Sequence, residues 1–250
     1  MDFFALTQAY YSAWIGQENV IADSPADIIF VESDERNKTQ YGYPHPTDLW
    51  LLQTGDRTFV SYGEKVKPQI AACRAALPPD MTATKMVPVL ADIFGKAPYH
   101  GVKYVYAGSQ KKSTRAVVLP PEAGSLFQSF QDTLYPPETE DGNSWALEYF
   151  DEISAKGYCC GVLEDGILAS CSDAPGMPYM ADVIQEIGIN TLPAYRKKGY
   201  AADACLLAVS QIIRSGKCPI WTTGMENIPS QKLAESIGFQ VFGETLTLSL

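Results

Sequence analysis

The chain has 250 residues, 46% hydrophobic and 19% charged, the make-up of an ordinary globular protein with one large or two modest domains. A net charge of -10 argues against non-specific nucleic-acid binding and against docking on an anionic membrane. It leaves room for a local basic site and mildly favours a cationic small-molecule partner. Six cysteines occur without a C-x-x-C pair, and with only His45 and His100 beside them no metal-ligand spacing arises.

The thiols therefore read as reduced and mostly buried, as in a cytosolic protein. Met1-Asp2-Phe3-Phe4 opens on an acid rather than a basic segment, so it is not a signal peptide. No apolar run reaches membrane-spanning length. The expected location is the cytoplasm.

In chain order, Phe3, Leu6, Tyr10 and Trp14 recur at helical spacing, and Gly16 is a natural stop. Ile28–Val31 is a short strand. Glu32–Pro46 is a polar, turn-rich loop carrying Tyr41, Tyr43 and His45, read as partly packed surface. Leu49–Gln53 and Arg57–Tyr62 are strands joined by Thr54-Gly55-Asp56. Lys67–Leu77 is helical and ends at Pro78-Pro79. Met86–Phe94 is a second helix, and Val102–Ala107 a strand with alternating aromatics. Gly108-Ser-Gln-Lys-Lys-Ser-Thr lacks the glycine that a phosphate-cradling P-loop needs before its lysine, and reads as a polar turn. A boundary is expected there, dividing the chain into domains 1–113 and 114–250.

After the boundary the pattern restarts. Arg115–Leu119 is a strand and Glu122–Leu134 a helix. Pro136-Pro137 and Glu138–Asp141 form a loop. Ser144–Ala155 is a helix with Trp145, Tyr149 and Ile153 on one face. Cys159–Leu163 and Ile167–Ser172 flank Asp165-Gly166, a hairpin signal. A β-branched strand, Val183–Thr191, runs through Pro193 into the loop Arg196–Ala201 and a helix to about Arg214. Pro219–Thr223 is a strand, and Ser230–Ile237 a helix capped by Gly238. Phe239–Phe242 and Thr245–Leu250 close the chain as two strands.

The segment 182–203 is the chemically informative one. A glycine loop that opens a helix presents unpaired N–H groups at the positive end of the helix dipole, where an anion, most often a phosphate, is stabilised. Arg196, Lys197 and Lys198 sit poorly there unless an anion joins them, and Gly199 permits close backbone approach.

With a strand before it and a helix after it, Arg196-Lys197-Lys198-Gly199-Tyr200-Ala201 resembles the [Arg/Gln]-x-x-Gly-x-[Gly/Ala] signature of the GNAT acyltransferase superfamily. Leu192-Pro193-Ala194-Tyr195 matches the turn before that signature. The run from Asn227 to Gly238-Phe239 resembles the downstream motif. The resemblance covers about residues 114–250. It implies an α/β fold of the GNAT type: a mixed, mostly antiparallel twisted sheet flanked by helices. It implies acetyl-CoA as co-substrate, with no metal, and acetyl transfer to an amine of a small molecule by direct attack on the thioester.

The resemblance also assigns residues. Lys197, Lys198, Gly199, Tyr200 and Ala201, with Arg196, would hold the pyrophosphate. Ile189, Asn190 and Thr191 would pair with the pantetheine amides beside a bulge at Gly188–Asn190, and one of their N–H groups would stabilise the oxyanion. Asn227 and Ser230 join the coenzyme A set. Glu186 is the candidate general base, although a one-residue shift on a strand would turn it to the other face.

One position departs from the family: Ala234 stands where many members place a tyrosine that protonates the leaving thiolate. A thiolate leaves with little help, and Tyr200 and Tyr179 are the substitutes to examine. The first half reads as an α/β unit, a degenerate GNAT-like half of the kind found in two-part acetyltransferases such as zwittermicin-resistance enzymes. It has no loop like 196–201, so a single acyl-CoA site is expected, with the first half shaping the acceptor pocket.

The alternative is a non-catalytic acyl-CoA-binding or interaction protein that keeps the fold. A hydrolase is a poor reading, since there is no Gly-x-Ser-x-Gly and neither histidine has an evident nucleophile partner. Neither nucleic acid nor membrane is an expected partner, and a homodimer remains open.

Overall fold

The computed structural model describes residues 1–24, 27–136, 143 and 145–250. Helix α1 spans Phe3–Ile15 and α2 Val20–Asp23; β1 is Ile28–Glu32, β2 Leu49–Thr54 and β3 Arg57–Tyr62. Then come α3 (Ile70–Ala76), α4 (Ala83–Phe94) and β4 (Tyr99–Tyr106). The second half holds β5 (Val117–Val118), α5 (Gly124–Leu134), α6 (Trp145–Ala155), β6 (Cys160–Glu164) and β7 (Ile167–Asp173). It continues with β8 (Ile184–Glu186), β9 (Gly188–Thr191), α7 (Tyr200–Arg214), β10 (Cys218–Gly224), α8 (Ile228–Ser236) and β11 (Phe239–Leu248). The expected loop around Glu138–Asp141 lies outside the described residues.

Two sheets result. The larger has the order β1-β3-β2-β11-β4-β10-β8, and the smaller β5-β6-β7-β9. All pairings are antiparallel except β1 with β3 and β10 with β8. This is the mixed, mostly antiparallel sheet flanked by helices that the sequence implies.

Strand β2 shows how the larger sheet is held. Leu49 and Leu51 face α3 and α4, while Trp50 and Leu52 face α1. Both faces are buried, so the strand reads as a continuous apolar run. Further along the sheet, Tyr104, Trp221 and Phe239 pack under α7 and α8. Helices α5 and α6 cover one face of the smaller sheet, and the start of α7, at Tyr200 and Ala204, covers the other. Helix α7 therefore bridges both sheets.

Several expectations change. The division at residue 113 does not separate the sheets, because β11 from the second half lies between β2 and β4 from the first. The two expected terminal strands are one, β11, with a bulge between Val241 and Gly243. A bulge absorbs an extra residue without ending the ladder, and a side chain at Gly243 would run into the Gln53 carbonyl. In α6 the buried residues are Ala146, Phe150, Ile153 and Ser154, whereas Trp145 is exposed and meets the Tyr149 ring at a tilt, 5.9 Å between centroids. Asp165 and Gly166 both have positive φ, as the tight hairpin requires.

Candidate active site

The expected strand Val183–Thr191 is not one strand. Ile184–Glu186 pairs with Cys218–Ile220 in the larger sheet, whereas Gly188–Thr191 pairs with Ser170–Asp173 in the smaller. The change falls at Ile187, whose N–H still donates to the Ile220 carbonyl at 3.2 Å. Gly188 makes the transfer feasible: a Cβ there would collide with the Asp173 carboxylate. Beyond Ile220, β10 has no partner on this side, and β9 is the edge strand of its own sheet. The sheets part here; Gly188–Asn190 carries no bulge but pairs in unbroken register, and the splay comes from the change of sheet at Ile187 instead.

The parting opens onto a cleft of about 760 Å³. Ile189, Asn190 and Thr191 line one wall; Arg196, Lys197, Gly199, Tyr200 and Ala201 line the second; Asn227 and Ser230 line the third. Thus ten of the eleven residues expected to hold coenzyme A surround one cavity. Lys198 is the exception. Its ammonium turns to Glu164 at 3.3 Å and lies over the rings of Tyr195 and Tyr200.

The loop is shaped by two left-handed residues, Lys197 (φ 63) and Gly199 (φ 82). The first bond of α7 runs from Asp203 N–H to the Gly199 carbonyl. Among the described residues, none accepts from the N–H groups of Lys197 to Ala202. Such donors at a helix start need an outside acceptor. The three cations are only partly served from within: Arg196 donates to the Thr191 carbonyl at 3.3 Å, and Lys197 has no ion pair among the described residues.

Two residues that the sequence reading left out hold the loop. Asp203, buried in the first turn of α7, accepts from Thr114 N–H (3.0 Å) and from Arg115 Nε (2.5 Å). Arg115 also donates to the Lys198 carbonyl and lies 4.6 Å over the Tyr200 ring. An acid within the helix start was a signal in the sequence; its basic partner, 88 residues away, carried none.

Asn227 caps α8, its Oδ1 accepting from Ser230 N–H at 3.3 Å, and Ser230 Oγ accepts from the Trp221 indole at 3.2 Å. Both residues thus have structural roles while lining the cleft. Ala234 lies on the inward face of α8 and is fully buried, so no hydroxyl stands at that position. The Tyr200 hydroxyl bonds Glu164, and that of Tyr179 bonds Glu35. Each expected substitute acid is engaged elsewhere.

Glu186 ends β8 beside the split. It pairs with Ile220, which faces α1, and shares that face with Thr222 and Lys103. Burial pushes its carboxyl above the usual range, while the Lys103 ammonium and a bond from Thr222 pull it back. Burial likewise holds Lys103 below its usual value. Tyr10, Tyr11 and Tyr43 surround the pair: burial raises each phenol, and the Glu186 charge raises each further. A raised carboxyl in such a place is better matched to taking a proton near neutral pH than an ordinary glutamate. The sequence reading named Glu186, and placed Tyr10 in a helix and Tyr43 in a loop, without joining either to it or naming Lys103, Thr222 or Tyr11. Lys103, a charge on a strand of buried aromatics, was the visible signal.

Comparison with known proteins follows the same outline. Residues 126–247 match the family model described as GNAT acetyltransferase. No curated protein matches the chain. A solved GNAT-family acetyltransferase from Colwellia psychrerythraea is 15% identical with a TM-score of 0.50, over 60% of this chain and 56% of that one. A GNAT-family protein from Novosphingobium aromaticivorans is 22% identical with a TM-score of 0.46, over 60% of this chain and 63% of that one. A GCN5-related N-acetyltransferase-like protein from Streptococcus suis is 12% identical with a TM-score of 0.42, over 80% and 84%. The chain thus spans little more than half the length of the first two, and the likeness is one of fold.

Proposed function

Residues 126–247 belong to the GNAT acetyltransferase family, and from that premise we propose that the chain moves an acetyl group from acetyl-CoA to the amine of a small molecule. The observation that carries this reading is the row of unbonded N–H groups from Lys197 to Ala202, opening into the cleft at the sheet split. Those donors suit a pyrophosphate. The free edge of β9 suits the pantetheine amides, which can bond like a neighbouring strand. Asn227, Ser230 and the apolar Leu233 complete a wall for the rest of the coenzyme.

Glu186 supplies the chemistry on the far side of the split. An ammonium cannot attack a thioester; it must first lose a proton. The Glu186 carboxylate takes that proton, directly or through water. The amine then attacks the thioester carbon, an N–H of β9 stabilises the oxyanion, and the thiolate leaves. With Ala234 in place of a hydroxyl, the second proton shed by the attacking nitrogen passes to solvent and the leaving thiolate takes one up from solvent.

The test is calorimetric binding of acetyl-CoA, followed by thiol release when amines are added. Failure to bind any acyl-CoA would falsify the proposal. Ala234 favours a second reading, a non-catalytic acyl-CoA-binding protein. Thiol release that requires both an acceptor and Glu186 would exclude it.

A further inference from the structure

The cleft beside the sheet split carries more positive charge than a pyrophosphate alone needs. Fifteen residues line it, among them Arg196, Lys197 and Lys232, and none is an Asp or a Glu. The whole chain has 29 acidic residues against 19 basic ones, so the cleft is a local reversal of charge. Two of the three cations belong to the loop before α7, beside the row of N–H groups. Lys232 does not. It stands on α8, across the cleft, and the reaction described above leaves it unused.

Its surroundings leave it available. Lys232 is exposed. Among the described residues it has no ion pair, although Glu235 follows one turn later on the same helix. The other residues of its wall are apolar or engaged. Pro229 and Leu233 are apolar, Asn227 Oδ1 caps α8, and Ser230 Oγ accepts from the Trp221 indole. Lys232 is therefore the charge that the α8 wall presents to the cleft.

The parts of the coenzyme divide among the three walls. The edge of β9 suits the pantetheine, and the N–H row before α7 suits the pyrophosphate. The adenosine and its 3′-phosphate are left for α8. That phosphate is a monoester, with a charge of about −1.5 to −2 near neutral pH. A lysine ammonium is a compact point charge with three rotatable donors, and it meets a phosphate without a fixed approach. We propose that Lys232 reads the 3′-phosphate of coenzyme A, so that the donor site selects coenzyme A thioesters over those of dephospho-CoA. This rests on the acetyl-transfer reading, which supplies the coenzyme. The contact lies at the end of the donor remote from the thioester. It adds binding common to the ground and transition states, which acts on KM for the donor and not on kcat.

The experiment measures the affinities of CoA and dephospho-CoA by calorimetry, and thiol release from acetyl-CoA and acetyl-dephospho-CoA with one amine acceptor. Wild-type protein is expected to bind CoA more tightly than dephospho-CoA by about tenfold or more, the worth of one charge-assisted contact. In Lys232→Met that ratio is expected to fall to about one, with dephospho-CoA bound as in wild type. In Lys232→Arg, which keeps the charge, most of the ratio is expected to remain. The loss in Lys232→Met is expected in KM for acetyl-CoA rather than in kcat. The wild-type ratio needs no variant, so a misfolded Lys232→Met does not protect the idea. Equal affinity of wild type for CoA and dephospho-CoA overturns the subsite while acetyl transfer stands. So does a ratio that survives Lys232→Met, including the case in which both affinities fall together. Absence of binding by either coenzyme overturns the function, and the subsite with it.

Discussion

Either side of Ile187 the chain builds two half-sites from different materials. On the β9 side the donors are backbone groups: edge-strand amides and the N–H row at the start of α7, in an open cleft. On the β8 side the polar groups are side chains: the Glu186 carboxylate, with Lys103 and Thr222, under a tyrosine wall from α1 and the loop that follows β1. A backbone half-site depends on φ, ψ and glycine, and tolerates most side-chain changes. A side-chain half-site depends on charges held out of water, where each shifts the pKa of the next. The first is suited to one constant ligand, and the second can be tuned to a particular acceptor.

The largest expected effect lies on the side-chain half. Glu186→Gln should lower turnover by about 10²–10⁴-fold, the usual worth of a positioned base, with acetyl-CoA affinity unchanged by calorimetry. The same variant should be more stable at neutral pH. The Glu186 carboxyl is raised in the fold, so its contribution to stability is present in acid and lost as pH rises through that raised value. The amide does not titrate. The melting-temperature gain of Glu186→Gln should therefore vanish as the pH is lowered. A gain that is independent of pH would break the link between burial and basicity.

The backbone half is probed by a pair of substitutions. Lys197→Pro removes an N–H and cannot adopt the positive φ found there. Acetyl-CoA affinity should fall about 10- to 100-fold, the worth of one or two hydrogen bonds to a charged group. Lys197→Gly keeps the N–H and suits the φ, and should bind within a few-fold of wild type. If glycine were as harmful as proline, the lysine charge rather than the backbone would be the binding group.

The join between the halves is probed by Gly188→Ala. The added methyl meets the Asp173 carboxylate, and overpacking of this kind costs about 1–3 kcal/mol, readable as a lowered urea midpoint. An unchanged midpoint would mean that the split does not depend on this glycine.

The smallest effect is a shift in a pH profile. Activity should fall on the acid side as Glu186 takes up a proton, because the charged form is the base. Lys103 lowers that pKa, so Lys103→Met should move the acid limb of kcat/KM to higher pH. A limb that stays in place would detach Lys103 from the site.

What could be read in advance followed the same division. The loop Arg196–Ala201 and the helix after it were legible because each is decided within a few residues: a glycine at positive φ and a helix start. The hairpin at Asp165-Gly166 was legible for the same reason. The split at Ile187 was not, because Val183, Ile184, Ile187, Ile189 and Thr191 spread β-branched residues along the whole segment and suit a strand in either sheet. Which strand each residue pairs with depends on Cys218–Ile220 and Ser170–Asp173, distant partners that local propensity does not encode.

By itself, then, the sequence determined the mixed α/β architecture and the local form of the loop Arg196–Ala201. Only the tertiary structure decided that one sheet draws strands from both halves of the chain, with β11 between β2 and β4. Only it decided that Lys103 comes to the same sheet face as Glu186. The reason is physical: φ and ψ preferences act over a few residues, whereas the field at a buried charge is set by whatever register and packing bring near it.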